Sequence, residues 1–153
     1  MRQFLLGCLL LVFTACGDSA APGIDIKNAY IVAPIGGRDT TLAGLDITAI
    51  GQDLTLIGAS SPAAERIEFH TTVQTAQGRM RMSALEEITV TAGTPVKLGQ
   101  GQTHLMIFGF DDALTVGDSV DIVLHFTRGE SDKKSISVTA RVTEIGEITA
   151  HGS

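Results

Sequence analysis

The sequence is poor in aromatic residues, in charge and in cysteine. It has no tryptophan and one tyrosine, 18% of its residues are charged, and it holds two cysteines. Only 11 Lys and Arg stand against 17 Asp and Glu, giving a formal net charge of -6, which argues against nucleic acid because phosphate contacts need clustered cations. The 153 residues suit one domain with no second, substrate-binding domain, and the 17 glycines favour short strands over long helices.

No apolar run is long enough to cross a membrane as a helix. The longest, Phe4 to Phe13, has ten residues, whereas a bilayer needs about 20. It follows Arg2 and precedes small residues, so we predict that residues 1–15 are a cleaved signal peptide. Phe13-Thr14-Ala15-Cys16 resembles the bacterial lipobox, which predicts lipidation of Cys16 and membrane attachment by the lipid anchor only. The alternative is an ordinary secretory signal with Cys16 unmodified or removed.

Removal of this segment changes the cysteine count and the charge. It takes away Cys8 and the +1 of Arg2, so the formal net charge goes from -6 to -7. With one cysteine at most, the mature chain cannot form an internal disulfide. If Cys16 carries lipid, any site that needs a thiolate, including the blue-copper type, is excluded as well.

The remaining chain has the pattern of a β protein. Gly17 to Gly23 is small and polar, which predicts a flexible tether over residues 16–23. No later stretch has a helical period, whereas Val120, Ile122, Leu124 and Phe126 alternate as in a half-buried strand. We predict an all-β, antiparallel two-sheet Greek-key sandwich over residues 24–148 and a frayed tail over 149–153. The predicted strands are 24–33, 41–50, 54–58, 66–73, 88–91, 95–98, 104–110, 119–127 and 135–145.

Methionine and histidine are concentrated in one part of the chain. Met80, Met82, His104 and Met106 lie within 27 residues, and His70 precedes them. His104 and Met106 are two apart in a predicted strand, so their side chains share a face. Thioether sulfur is a soft donor that holds Cu(I) well, and imidazole accepts copper, so a set of two histidines and two methionines selects Cu(I).

Other interpretations of these residues stay open. A methionine is most often a core filler, and Met80 and Met82 alternate with arginines as in a half-buried strand with one basic face. His125 is expected to be an exposed structural histidine, and Arg128 to Lys134 a charged hairpin loop. We find no residue pattern that supports catalysis, so we predict that the protein is not an enzyme.

Three segments resemble a known family, the periplasmic copper chaperones of the PCuAC type. They are Ala59 to His70, Met80-Arg81-Met82 and His104 to Gly109, and the family signature is a His, a Met about eleven positions later, then twenty-one residues and His-x-Met. The resemblance implies a cupredoxin-like β-sandwich that binds one Cu(I) through His70, Met82, His104 and Met106. It also implies that copper is delivered, through oxidase assembly proteins or an oxidase subunit, to the copper centre of cytochrome c oxidase.

The first interval of the signature is one residue longer than usual. The turn at 71–79 must therefore absorb an insertion, and Met80 is an alternative ligand to Met82. We prefer Met82 because the twenty-one residues that separate it from His104 match the family interval.

Three further positions depart from the family pattern. Gln102-Thr103 replaces a glycine and an aromatic residue, and Phe108 replaces a further methionine. Both changes should alter the packing around the ligands more than ligation itself. The tail holds only His151, so no second copper site is expected.

Two other function classes compete with a copper carrier. A secreted copper enzyme or electron carrier needs an open coordination position or a thiolate, and neither is evident in the sequence. A structural or adhesive β-sandwich lipoprotein would bind no metal, and its methionines would pack in the core.

Overall fold

The computed structural model describes residues 23–129 and 131–146. The predicted signal peptide, Cys16, nearly all of the predicted tether and the predicted tail lie outside these residues. The described residues form ten strands and no α-helix: β1 (Gly23–Val32), β2 (Thr41–Ile50), β3 (Leu54–Ser60), β4 (Arg66–Gln74), β5 (Met80–Leu85), β6 (Ile88–Val90), β7 (Val96–Leu98), β8 (His104–Phe108), β9 (Ser119–Arg128) and β10 (Asp132–Thr143). Across the described ranges, the search for a helix long and apolar enough to cross a membrane found none.

The strands pair in the order β5-β4-β8-β2-β1-β10-β9-β3-β6, and β7 also pairs with β2. This confirms the all-β prediction. Among the strand pairs of the described residues, one departs from the antiparallel pattern, because Tyr30–Val32 of β1 lie parallel to Arg141–Thr143 of β10. That parallel contact joins one half of the sandwich (β5, β4, β8, β2 and β1) to the other (β10, β9, β3 and β6). The hydrogen-bonded order therefore runs without interruption from β5 to β6.

The two halves of the sandwich enclose a single hydrophobic core. Leu45 and Ile47 of β2, Leu105 of β8 and Ile122 and Leu124 of β9 are almost fully buried in it. Each such side chain contributes about 1.5–3 kcal/mol through burial. The alternation predicted for β9 is confirmed, and every strand except β5 supplies at least one buried residue to this core.

A bulge in β1 changes which residues face the core. The register shifts between Lys27 and Tyr30, Asn28 has a φ of 54°, and its side-chain amide donates to Asp46 at 2.7 Å. An extra residue in a strand reverses the alternation beyond it. Val32, after the bulge, is consequently buried outside the main core cluster, on the other face of the sheet.

Strand β5 is an edge strand that pairs only with β4. The sequence-based list of strands omitted it, and the interpretation of its methionines as core fillers of a half-buried strand is wrong, because all six of its residues are exposed. Since β4 continues to Gln74, the connecting turn is shorter than the 71–79 segment expected from the sequence. It is closed by hydrogen bonds from Thr75 N to Arg79 O (2.7 Å) and from Gly78 N to Thr75 O (2.8 Å).

Candidate metal centre

The register of β4 and β8 brings the two predicted histidine ligands together. His70 lies directly opposite His104, and their ring centroids are 6.3 Å apart. One residue away in each strand, Phe69 is opposite Leu105, and both are buried in the core. Side chains alternate along a strand, so the two histidines lie on the outer face of this part of the sheet.

The methionines reach the same face from both sides. Met106 of β8 lies opposite Glu68 of β4, and Met82 of β5 lies opposite Thr72 of β4. Glu68 and Thr72 are each two residues from His70, so all of these side chains share the outer face. The four residues predicted as ligands therefore stand on one face of three adjacent strands.

The register also separates the two candidate methionines of β5. Ala84 of β5 lies opposite His70, and Met82 is two residues from Ala84, which is about 7 Å along the strand. Met80 lies opposite Gln74, four residues from the position opposite His70, which is about 13 Å along the strand. The distance favours Met82 as the ligand from β5.

A pocket of about 310 Å³ lies over this face and is lined in part by Met82, His104 and Met106. Its other walls come from the end of β1, the β1–β2 loop, the start of β2, the β7–β8 loop and the chain after β10. They include Val32, Ala33, Ile35, Leu42 and Ile145. The pocket is also lined by the polar residues Arg38, Thr40, Thr41, Thr72 and Gln100. As donors, the two thioethers and the imidazole suit a soft ion better than a hard cation.

His104 has one ring nitrogen already engaged. It is 4% exposed, and its Nδ1 lies 2.9 Å from the carbonyl oxygen of Gln102. Because a carbonyl only accepts, Nδ1 must carry the proton, which leaves the Nε2 lone pair available to a metal.

The loop that supplies the Gln102 carbonyl is supported by Tyr30. The Gln100 backbone N donates to the Tyr30 hydroxyl at 3.3 Å. The ring of Tyr30 packs against Gly44 and Gly99, where a Cβ on Gly44 would lie 2.5 Å from the hydroxyl oxygen. Glycine at position 44 is therefore a requirement of this contact, and the pattern of the sequence gave no sign of it.

His70 is held from the side of β4. Its Nε2 lies 3.0 Å from Glu68 Oε2, while Glu68 Oε1 accepts from Arg66 Nε at 2.6 Å. The hydrogen bond from His70, followed by that from Arg66, lowers the pKa of Glu68 below its usual range. The Arg66 guanidinium lies 4.2 Å above the ring of Phe108.

The sequence analysis did not identify Arg66 and Glu68 as part of this site. The available signal was the alternation Arg66-x-Glu68-x-His70, which puts three polar side chains on one face of a strand. The ring of Phe108 supplies the surface against which the Arg66 guanidinium packs.

The exposure of the β5 methionines argues against their interpretation as core fillers. Met80 is 63% and Met82 is 54% exposed, while Met106 is half-buried. In residues 23–129 and 131–146, no group of three or more His, Cys, Asp or Glu side chains is placed to hold a metal ion. A metal centre on this face would therefore depend on its thioethers.

The remaining candidates have other roles. Both ring nitrogens of His125 are engaged, with Ser60 Oγ at 3.0 Å and Ser135 Oγ at 2.9 Å. It is a structural histidine as expected, although half-buried and not exposed. Arg128 and Asp132 pair at 3.4 Å where β9 ends and β10 begins, so the predicted hairpin is present. The loop is shorter than the predicted 128–134, because Asp132 to Lys134 belong to β10 and pair with β9.

We compared the sequence and the fold with those of known proteins. The model of the family described as "Putative lipoprotein LpqE-like" matches residues 24–142. "Putative lipoprotein Lxx21020" of Leifsonia xyli subsp. xyli is 23% identical over 148 residues, covering 90% of this chain and 89% of that protein. The copper-bound PCuAC domain from PmoF2 superimposes with a TM-score of 0.65 at 20% identity, covering 81% of this chain and 96% of that domain. The Cu(I) form of DR1885 from Deinococcus radiodurans gives a TM-score of 0.59 at 25% identity, covering 78% and 77%.

Proposed function

The chain belongs to the LpqE-like lipoprotein family and has the fold of PCuAC domains, and we propose from these premises that it is a copper carrier of the cell envelope. It binds one Cu(I) and passes the ion to an acceptor. The observation that carries the proposal is the placement of His70, Met82, His104 and Met106 on one face of β5, β4 and β8. The bound copper in two similar structures supports the identity of the ion.

The chemistry of this donor set suits transport. Two imidazoles and two thioethers are all neutral, so the loaded site would keep the single charge of Cu(I). Bonds from thioethers are weaker than bonds from thiolates, so an acceptor that carries thiolates can replace the ligands one at a time. The exposed Met82 is the first candidate to leave. A carrier of this kind needs neither an open substrate position nor a redox-tuning thiolate, and it is not an enzyme.

We propose that the destination is the copper centre of cytochrome c oxidase, reached through oxidase assembly proteins or an oxidase subunit. This part of the proposal is supported by the resemblance to the PCuAC chaperones. In the source bacterium, deletion of this chain should lower oxidase activity and the copper content of the oxidase under copper limitation. The wild-type chain should restore both, and a His104→Ala chain should not. Equal restoration by the two chains would contradict this destination.

The test of copper binding is anaerobic loading with Cu(I), desalting and metal analysis, followed by X-ray absorption. We expect one copper per chain with two sulfur and two nitrogen donors. His125→Ala is the matched control, since it removes a histidine outside the proposed site. A chain that retains no copper would contradict the proposal and would leave the structural lipoprotein as the better interpretation.

Metal selectivity gives a second test. Zn(II) favours thiolate, imidazole or carboxylate ligands over thioethers, so Cu(I) should displace Zn(II) from the mature protein at neutral pH. Competition between the two ions, followed by metal analysis, measures this preference. Equal retention of zinc would show that the methionines are not ligands.

We further propose that residues 1–15 are removed, that Cys16 is lipidated, and that residues 16–23 tether a periplasmic domain spanning 24–148. Two or more acyl chains give stable membrane association, whereas a single chain is marginal. Expressed in a bacterium, the whole chain should be recovered with the membranes in a lipid-modified form. A Cys16→Ala chain that still sediments with membranes would contradict lipidation at this residue.

A further inference from the structure

Four side chains form a row of contacts that ends at His70. Arg66 lies over the ring of Phe108 at 4.2 Å, and its Nε donates to Glu68 Oε1 at 2.6 Å. The second oxygen of the same carboxylate, Oε2, lies 3.0 Å from His70 Nε2. Because Arg66 occupies one oxygen of Glu68, the other oxygen is directed at the histidine.

The contact with Glu68 determines which nitrogen of His70 is free. A carboxylate held by an arginine accepts hydrogen bonds and donates none, so neutral His70 must carry its proton on Nε2. Its lone pair then belongs to Nδ1. His104 is in the reverse state, because its Nδ1 faces the Gln102 carbonyl at 2.9 Å.

We propose that Glu68 is a positioning residue that commits His70 to bind copper through Nδ1, while His104 binds through Nε2. This inference rests on the proposed copper-carrier function and specifies how its two histidines act. The two residues are directly opposite in the β4–β8 pair, so the difference in nitrogen is set by their partners and not by their place in the sheet.

The choice of nitrogen affects where the ion lies. Nδ1 is bonded to Cγ and so lies close to its own backbone, whereas Nε2 is on the far side of the ring. An ion held by Nδ1 of His70 and Nε2 of His104 is therefore displaced from β8 toward β4. Met82 lies on β5, on the other side of β4, so this displacement is toward the strand that carries its thioether.

Fixing the ring before the metal arrives should also favour binding. A histidine that ligates a metal commonly donates its other N–H to a carboxylate or a carbonyl, and loss of such a partner costs about 10–100-fold in affinity. Glu68 and the Gln102 carbonyl are partners of these two kinds, and both contacts are formed in the structure.

The first experiment is long-range 1H–15N NMR of the mature chain, without metal and after anaerobic loading with Cu(I), which is diamagnetic. We expect His70 with its proton on Nε2 in both states and a copper-induced 15N shift at its Nδ1. The copper-induced shift of His104 should be at Nε2. Copper bound through Nε2 of His70 would overturn this inference and leave the proposed function intact. Absence of any copper binding would overturn both.

The second experiment compares three variants by NMR and by Cu(I) competition with bicinchoninate. Glu68→Ala should give His70 a mixture of tautomers and lower Cu(I) affinity by about tenfold or more. Glu68→Gln keeps one acceptor oxygen and should restore part of both. Glu86→Ala, which removes an exposed carboxylate just after β5, is the control and should change neither. A Glu68→Ala protein with the wild-type tautomer and affinity would overturn the positioning role.

Discussion

Strands β9 and β5 both alternate in sequence, yet they occupy opposite environments. In β9, Val120, Ile122, Leu124 and Phe126 all lie in the hydrophobic core. In β5, the alternating methionines are more than half exposed and no residue is buried. β9 has a neighbouring strand on each side, whereas β5 has one only. The comparison indicates that β9 stabilises the fold, while the two methionines of β5 lie outside the hydrophobic core and are accessible for binding.

The largest expected effect is on the β9 side of this comparison. Phe126 is 1% exposed, and its replacement by Ala should lower the free energy of unfolding by about 3–5 kcal/mol because it leaves a cavity. Urea denaturation at 25 °C measures this loss. The protein that stays folded should still bind one Cu(I).

If Phe126→Ala does not accumulate, Ile122→Val tests the same point at about 0.5–1.5 kcal/mol. A β9 variant that folds normally but loses copper would contradict the assignment of stability to β9 and of binding to β5.

Met106 lies between these extremes, because it is half-buried and also lines the pocket. Leucine has nearly the same volume, so Met106→Leu should cost less than about 1.5 kcal/mol of folding stability. Loss of the thioether should nevertheless weaken Cu(I) retention by about tenfold, equivalent to 1.4 kcal/mol. Competition with bicinchoninate gives the affinity and urea denaturation gives the stability. Unchanged affinity would show that Met106 is not a ligand and only packs in the pocket wall.

Within β5, the two methionines separate a ligand from a neighbour. Both Met82→Leu and Met80→Leu replace exposed side chains, so each should change stability by no more than about 0.5 kcal/mol. Met82→Leu should weaken Cu(I) binding, because Met82 lies closer to His70 along the strand. Met80→Leu should leave the affinity close to wild type. The opposite order of affinities would identify Met80 as the ligand.

The smallest expected effect concerns Asp118, in the turn before β9. Hydrogen bonds from the Thr115 backbone N (2.7 Å), then from its hydroxyl (3.0 Å), hold the pKa of Asp118 below its usual range. A lowered pKa in the folded state means that this contact stabilises the protein above the unfolded pKa of about 3.9 and is lost as the pH falls through the folded value.

Melting temperatures of wild type and Asp118→Ala should therefore differ slightly at pH 7 and converge at strongly acidic pH. Copper affinity should be the same in both proteins. A difference that grows toward low pH would contradict the assignment of the lowered pKa to these hydrogen bonds.

The sequence predicted those features that depend on alternation between buried and exposed residues. The inward face of β9 could be predicted for this reason. The list of predicted strands omits β5, and the half-buried strand considered for its methionines is wrong, because none of its residues is buried. The parallel pairing of β1 with β10 joins segments more than 100 residues apart, and no local pattern encodes such a contact. The bulge at Asn28 was also missed, because a positive φ at a single asparagine leaves little trace in the hydrophobic pattern.

The candidate site likewise has features that the sequence predicted and features that only the structure shows. His104 and Met106 were placed on one face by their spacing alone, since two residues apart in a strand means the same side. The proximity of His70 to His104 depends on the register of β4 against β8, which only the structure supplies. Glu68 was missed because its role depends on a contact with its own strand neighbour, and a glutamate in an exposed alternation is usually a solvated side chain.

Strand β1 also sets where the proposed copper site lies relative to the start of the domain. It begins at Gly23 and ends at Val32, which lines the pocket, so its ten residues place the pocket about 30 Å from the start of the domain. Any anchor upstream of Gly23 is therefore attached at the end of the domain remote from the proposed metal site. With a lipid at Cys16, the seven residue steps from Cys16 to Gly23 would add at most about 25 Å of reach. The proposed site would then lie well above the surface of the bilayer. The proposed carrier would therefore contact acceptors that project from the membrane more readily than acceptors buried within it.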